Sequence, residues 1–478
     1  MFHNIDDIIQ QIGSNICGVT GNSNEVKKDF VFVAIKGVAL DGHNYIKHAL
    51  EKGASYIIYD HDIPFDGENF FRTKNSRKSL ALLAAAFYKH QPENIVAVTG
   101  TNGKTSTVAF VKQIIENDNK SAATLGTIGL QGMDGVTDFL TTPEVTKIFK
   151  ILRDAASQKI NYFAFEASSH GLHQNRLDGV KFKAVAFTNF SKDHLDYHAT
   201  MSEYFSAKKY LFSDLAREGT VAVLNADIVE YEELKDLCML KGLQIFSYGF
   251  KGEDFKFIRI TPLKSSISFE FIFAGRNYTT EFNIVGDFQV YNIMCAAALA
   301  IACGLKAENV FASFKKLVSI AGRMEKIEYK NIGEIYIDYA HTPDALQKAL
   351  TTLRIHCQNK LIVLFGCGGN RDISKRSEMG KIATNYADYT IITDDNPRTE
   401  DPSKIRKDIV AQLDPKSYVE IWPREEAIKF ALNTIEKGDI LLIAGKGHED
   451  YQIIGTTKYP FNEKEIVKNY IKNNFLQS

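Results

Sequence analysis

The run Val98-Thr99-Gly100-Thr101-Asn102-Gly103-Lys104-Thr105 carries the residue types that hold a nucleotide's phosphate chain. It follows an apolar stretch, Ile95-Val-Ala-Val98, and precedes a helix-like one, TSTVAFVKQIIEN. In that setting the backbone N–H groups of Gly100, Thr101, Asn102 and Gly103 and of the helix start cradle phosphate oxygens. Lys104 then neutralises the β- and γ-phosphates, and the Thr105 hydroxyl, with Ser106 beside it, reaches a Mg²⁺ ion. The strict phosphate-loop pattern needs glycine at position 98, where this chain has valine. Without a nucleotide the same run reads as an ordinary glycine turn between strand and helix.

Two further groups of residues suit chemistry on a phosphorylated substrate. Glu166 opens E-A-S-S-H-G-L, Asp193-His194-Leu-Asp196-Tyr197-His198 follows F-T-N-F, and Lys208 ends Tyr204-Phe-Ser-Ala-Lys. A carboxylate and an imidazole at adjacent strand ends could hold a second Mg²⁺ between two anionic reactants that would otherwise repel. Equally, Asp193 and Asp196 could cap a helix, and Lys208 with Lys209 could be solvated charge. Near the C-terminus stand Tyr339-Ala-His341-Thr-Pro-Asp344, Gly369-Asn-Arg371-Asp372, Asp395-Asn396-Pro397-Arg398 and Gly445-Lys446-Gly447-His448-Glu449. Arg371 and Arg398 with Asp395 and Glu449 make a mixed-charge set suited to a zwitterion: guanidinium groups for its carboxylate, acids for its ammonium. One of these arginines could instead form a surface ion pair.

The variant G-T-N-G-K-T resembles the loop of the Mur ligases and folylpolyglutamate synthetases, which activate a carboxylate as an acyl phosphate for attack by an amine. From about residue 20 to 455 the chain is similar to the Mur ligases, in the branch that adds the third residue of the peptidoglycan stem peptide. The resemblance implies ATP and Mg²⁺ as cofactors, with Thr105, Glu166, His194 and a carbamylated Lys208 around the metal. Lys104, Lys208 and His194 are the implied catalytic set. Asn292 matches an asparagine at the adenine, and Arg323 a hinge arginine near ATP. Ser23, Thr141, Thr142, Ser168, Gln174 and Arg176 match residues that hold UDP-MurNAc-L-Ala-D-Glu. The D-N-P-R run accompanies family members that take meso-diaminopimelate, which assigns Arg371, Asp395, Asn396, Pro397, Arg398, Gly445 and Glu449 to that substrate. The physical logic agrees, because this amino acid carries a second carboxylate that lysine lacks. Two departures stand out: Asn22-Ser23-Asn24 replaces the family's Asp-Ser-Arg, and Ala321-Gly322 replaces Pro-Gly.

The elements that must position these residues follow from hydrophobic periodicity. Strand-like runs fall at 29–37, 54–60, 163–168, 183–190 and 220–225, and again at 334–340, 360–369, 389–397 and 439–449, with helical stretches between them. Alternation of strand and helix implies doubly wound α/β units whose strand ends converge on a ligand crevice. FKFIRI, SISFEFIFAG and YTTEFNIVG alternate apolar and polar residues and read as added antiparallel strands. Three domains are expected. Residues 1–90 form a small α/β unit, 91–318 a central P-loop ATPase-like parallel sheet with those added strands, and 319–478 a Rossmann-like unit.

The 478 residues suffice for about three domains of ~150 each. Lysine and arginine (57) balance aspartate and glutamate (58), so nothing calls for nucleic acid or a membrane surface. The six cysteines show no paired spacing and read as reduced thiols. MFHNIDDIIQQ lacks the basic start and apolar core of a signal peptide, and MCAAALAIACG is too short to span a bilayer. A monomeric cytoplasmic ligase is expected. A folylpolyglutamate synthetase would share the loop but leave the N-terminal unit and D-N-P-R unexplained. A nucleotide-switched regulatory ATPase would have no use for a second, zwitterion-suited pocket.

Overall fold

A computed structural model describes residues 2–13, 15–37, 40–135, 140–263, 266–327 and 333–475. Three main sheets each draw on one stretch of chain. The first has four parallel strands, Gly18–Thr20, Phe30–Val33, Ala54–Tyr59 and Phe70–Arg72. The second has ten, in the order 276–282, 267–273, 255–262, 244–249, 221–225, 182–187, 94–99, 162–166, 122–126 and 129–131. The third has six: 325–327, 334–338, 440–444, 361–365, 389–392 and 419–420.

The central strands read as unbroken apolar runs because helices cover both faces of a parallel sheet. Leu361–Phe365 and Ile440–Ala444 are buried at every position. Asn94–Thr99 is buried at all but its first residue. Helix Asp287–Ala302 is apolar all round for the same reason, packed between helix Lys104–Asn117 and the ten-stranded sheet. No described helix is long and apolar enough to cross a membrane.

The added strands are partly as expected. Arg276–Phe282 and Ile267–Phe273 are antiparallel, as is the pairing of Ile267–Phe273 with Phe255–Pro262. On its other side, however, Phe255–Pro262 joins Gln244–Gly249 in parallel, so the direction changes one strand later than the alternation suggested. Short strands at 129–131 and 325–327 and the hairpin 451–454/457–460 went unseen in the sequence, being too brief to show a period. One buried cluster runs from Ile8, Val31 and Val33 through Leu80 and Ala84 to Phe149 and Phe163. The first sheet therefore shares its core with the second, through helix Ser76–Tyr88 packed on helix Val145–Ser157.

The third sheet's rim loops are held by a fully buried ion pair. Arg424 Nε lies 2.6 Å from Glu463 Oε1, with both side chains 0% exposed. The same guanidinium donates to Ala444 O at 2.7 Å and Asp394 O at 3.2 Å, the last carbonyls before Gly445 and Asp395. Removing one partner of such a pair strands a buried charge, at about 3–5 kcal/mol. Arg424→Met is therefore expected to lower the midpoint of chemical denaturation of this unit, and the double change Arg424→Met/Glu463→Leu to recover part of the loss. An unshifted midpoint in the single variant would show that the pair does not anchor the rim.

Candidate active site

The phosphate loop is built on two glycines that no other residue could replace. Gly100 has φ +140° and Gly103 φ +84°, both in the region that L-residues with a Cβ rarely adopt. A Cβ on Gly100 would collide with the Thr188 hydroxyl, and one on Gly103 with the Asn292 amide. Two lysines converge on the resulting turn. Lys104 Nζ donates to Gly100 O at 2.9 Å and Thr101 O at 2.7 Å, and Lys208 Nζ, 1% exposed, donates to the same Gly100 O at 2.7 Å. Burial above all, and then the charge of Lys104, hold Lys208 well below the usual lysine range. Burial lowers Lys104 as well, with Glu166 and Asp193 partly offsetting it.

Glu166, 2% exposed at the end of strand Tyr162–Glu166, accepts from Thr105 Oγ1 at 2.9 Å and from Thr127 through both N (2.8 Å) and Oγ1 (3.0 Å). Arg323 NH2 donates to Thr105 Oγ1 at 3.0 Å while its guanidinium stacks 4.5 Å above the Tyr339 ring. His194 sits at φ +54°, with Nε2 3.5 Å from Asp193 Oδ2. Burial pushes its imidazole below the ordinary histidine range despite that carboxylate, leaving a neutral ring with a lone pair to offer.

Thr141, Thr142, Ser168, Gln174 and Arg176 lie together beside Glu166. Thr142 Oγ1 bonds Glu166 O (2.8 Å) and Ser168 Oγ (2.9 Å), and Ser168 caps helix Ser169–His173. Arg176 bonds Thr142 O at 2.5 Å and Gln174 Oε1 at 2.7 Å. Thr141 Oγ1 faces Thr127 Oγ1 at 3.2 Å.

On the opposite wall, Arg398 (φ +52°) donates to Gly369 O at 2.8 Å. Burial and then the like charge of Arg371 disfavour its guanidinium, so the pair calls for an anion. Asn396 Nδ2 and Lys446 Nζ bond Glu449 Oε2 at 2.8 and 2.9 Å, and Lys446 also reaches Asn396 Oδ1 at 3.1 Å. Asp395 accepts from the Asn396 N–H at 2.6 Å. Bonds between the second and third sheets' units close the site. Asn102 Nδ2 meets Asp344 Oδ2 at 3.0 Å, and Arg371 NH1 lies 3.7 Å from Asp196 Oδ2.

The outcome is one cavity of about 450 Å³ lined by residues of all three expected sets. These include Lys104, Thr105, Glu166, His194 and Lys208; Thr141, Thr142, Ser168, Gln174 and Arg176; and Arg371, Asp395, Asn396, Arg398, Gly445 and Glu449. Asn292 lines an adjoining cavity of about 360 Å³, which shares Asn102, Gly103, Ser106 and Arg323 with the first. Three candidates line neither cavity: Ser23 is buried against His48, at 3.2 Å, Gly100 lies beneath the loop with its carbonyl on the two lysines, and Pro397 lines neither space. Three residues that no assignment included prove central. Thr127 holds Glu166 from a turn with no motif to mark it; Lys446, 0% exposed, braces Glu449 from inside G-K-G-H-E; and His170 lines the cavity from inside E-A-S-S-H-G-L.

Three family models match the chain: the Mur ligase family catalytic domain over residues 15–130, the Mur ligase middle domain over 98–300, and the Mur ligase glutamate ligase domain over 322–447. The UDP-N-acetylmuramoyl-L-alanyl-D-glutamate--2,6-diaminopimelate ligase of Rickettsia conorii is 42% identical, covering 99% of both chains. That of Bradyrhizobium diazoefficiens is 42% identical over 95% of this chain and 94% of its own. A solved structure of a ligase of the same name superposes with a TM-score of 0.71 at 31% identity, over 96% of this chain and 95% of that one. The folylpolyglutamate synthase of Mycobacterium tuberculosis shares the fold, with a TM-score of 0.65 at 16% identity over 77% of this chain and 92% of its own. With phosphate loop, carboxylate cluster and charged rim on one cavity, and relatives matching end to end, the chain belongs to the Mur ligase family.

Proposed function

We propose that this chain is an ATP-dependent ligase that joins meso-2,6-diaminopimelate to the D-glutamate carboxylate of UDP-MurNAc-L-Ala-D-Glu, a step of peptidoglycan synthesis in the cytoplasm. The observation that carries this reading is the single cavity on which the three residue sets meet. The names of the full-length relatives support the choice of substrates. We assign residues 1–90 to the UDP end, 91–318 to ATP and 319–478 to the incoming amino acid, in a chain that acts as a monomer. A folylpolyglutamate synthetase reading leaves the four-stranded N-terminal sheet without a task, and a regulatory ATPase leaves the charged rim without one.

The donor set around Thr105 and Glu166 fits Mg²⁺. A hydroxyl and a carboxylate oxygen 2.9 Å apart are hard ligands, and neutral His194 adds no opposing charge. Lys208 as an ammonium would repel a cation. Burial disfavours that charged form, and as the free amine it can instead attack CO₂ at carbon and lose a proton, giving a carbamate whose oxygens can face a metal. Mg²⁺, when bound, supplies charge that lets two anionic reactants approach.

The chain's own residues do the rest. The N–H groups of 100–105 and Lys104 hold the γ-phosphoryl group, and Asn292 the adenine in the adjoining cavity. Thr141, Thr142, Ser168, Gln174 and Arg176 present the D-glutamate carboxylate. One of its oxygens attacks the γ-phosphorus, the bond to ADP breaks, and an acyl phosphate forms. Asp395, Asn396 and Glu449 orient the amino acid's ammonium and amine, while Arg371 and Arg398 take its carboxylates. The amine attacks the acyl carbon, phosphate leaves, and the proton passes to solvent. Asn102–Asp344 and Arg371–Asp196 keep the units closed, excluding water that would hydrolyse the acyl phosphate.

An ADP-release assay with UDP-MurNAc-L-Ala-D-Glu and a panel of amino acids tests the reading as a whole. Release is expected with meso-diaminopimelate and not with L-lysine or L-glutamate. Efficient use of L-lysine would overturn the substrate assignment.

Lys208→Ala should lose turnover, and millimolar formate or acetate should restore part of it by supplying carboxylate oxygens in place of the carbamate. Full activity without rescue, or no rescue at all, would remove the carbamate from the mechanism.

Arg398→Ala removes a charge-assisted contact to a desolvated carboxylate, worth roughly 2–5 kcal/mol. Its kcat/KM for meso-diaminopimelate should fall about thirtyfold or more, at 1.4 kcal/mol per factor of ten. The KM values for ATP and the UDP-linked peptide should stay near wild type. An equal loss for every substrate would mean that Arg398 supports loop folding rather than reading the carboxylate.

A further inference from the structure

The N-terminal sheet carries a group of metal-ligand side chains outside both cavities. Ligand atoms of His43, Asp60 and His61 all lie within 4.8 Å of one another. His43 Nε2 is 3.3 Å from Asp60 Oδ1, and His61 Nδ1 is 2.5 Å from that same oxygen. The two imidazole rings meet edge to face, with centroids 4.8 Å apart.

Outer contacts fix how these groups point. His43 Nδ1 bonds Asp41 Oδ1 at 2.6 Å, which places the ring proton on that side and turns the Nε2 lone pair toward Asp60. The Asp60 N–H, 3.4 Å from Nε2, approaches the same lone pair. Asp60 Oδ2 is taken by Ser76 N (3.0 Å) and Ser76 Oγ (2.8 Å), leaving Oδ1 to face the imidazoles. A carboxylate behind a ligating histidine is the recurrent outer arrangement of protein metal sites.

The spacing agrees with tetrahedral coordination. Bonds of about 2.0–2.1 Å keep neighbouring ligand atoms about 3.3 Å apart, and His43 Nε2 and Asp60 Oδ1 stand at 3.3 Å. His61 is now at hydrogen-bond distance and must swing outward by a fraction of an ångström. Its side chain is 50% exposed, so the movement has room on the solvent side and solvent has a way in. Asp41 and Asp60 bring two carboxylates to the imidazoles, a negative charge that a dication cancels. Imidazole nitrogens with one inner carboxylate favour a borderline transition metal over Mg²⁺.

We propose that His43, Asp60 and His61 bind a transition-metal dication of the Zn²⁺ class, with Asp41 as the outer carboxylate and water in the open fourth position. The ion ties the turn at 41–45 to the end of strand Ala54–Tyr59 and, through Asp60, to the start of helix Ser76–Tyr88, bracing the N-terminal unit.

The test uses the full-length protein, stripped of metal by a chelator and kept in saturating Mg²⁺, with Zn²⁺ uptake measured by equilibrium dialysis. Wild type should take up one equivalent more than His61→Ala. Asp41→Asn should weaken that uptake by about 10–100-fold, the usual cost of losing an outer partner. Metal-free His61→Ala should match metal-free wild type in circular dichroism and thermal midpoint, which shows the fold intact. Equal Zn²⁺ uptake by wild type and His61→Ala would overturn the site, leaving a histidine–carboxylate hydrogen bond in its place. Zn²⁺-soaked crystals give an answer that does not depend on any variant folding. An anomalous peak between the three ligand atoms is expected, and its absence also overturns the proposal.

Discussion

The turn at Gly100 is the constraint on which the rest of this molecule depends. Its backbone lies at φ +140°, pressed against Thr188, and its carbonyl points where both Lys104 and Lys208 can reach it. Burial disfavours the charged form of both lysines, and the charge of Lys104 disfavours that of Lys208 further, so this spot carries an electrostatic demand for anions. A nucleotide's phosphates would meet that demand from one side. A carbamate on Lys208 would meet it from the other, by placing an anion where the amine stands. Strain and unmet charge are concentrated where charge has to move during the reaction, as preorganised sites require.

The walls of the cavity are stiff because their polar groups already have partners. Glu166 takes three hydrogen bonds, Thr142 is tied to Ser168 and to the Glu166 backbone, and Glu449 is held by Asn396 and Lys446. Leaving any of these groups unpaired would cost roughly 1–3 kcal/mol, and more for the charged ones. Such interlocking fixes side chains without substrate and limits what ordering a ligand must still impose. Behind the wall, Arg424 bonds the carbonyls of Ala444 and Asp394, so one guanidinium sets the exit direction of two strands. The rim is thus positioned by a buried ion pair that itself touches no substrate.

Local periodicity made the α/β organisation legible in the sequence. Runs such as LIVLF and ILLIA can only be strands buried on both faces, and the glycine-rich loop between IVAVT and an amphipathic stretch must turn sharply. The phosphate loop and the charged motifs at 395–398 and 445–449 stood out because their residue types are rare together and fall at strand ends. Resemblance then implied roles for Thr141 and Lys208, where spacing alone left open plain hydroxyls of a Thr-Thr-Pro turn and a solvated helix charge.

Tertiary structure decided what no local window contains. Thr127 meets Glu166 across 39 positions, Arg371 meets Asp196 across 175, and Asn102 meets Asp344 across 242. None of these pairs has a periodic signature: the first joins a turn to a strand end within one sheet, and the other two exist only where two units close on one another. Lys208 is a buried amine held well below the usual lysine range, rather than a solvated charge, only through burial beside Lys104, a property of the packed interior and not of Tyr-Phe-Ser-Ala-Lys. Ser23 matched a motif, and the structure sets it against His48, where it lines neither cavity. Sequence determined which elements form, since their periods are local. The pairing of charges across the cleft belonged to the fold, since electrostatic partners are chosen by distance in space and by exclusion of water.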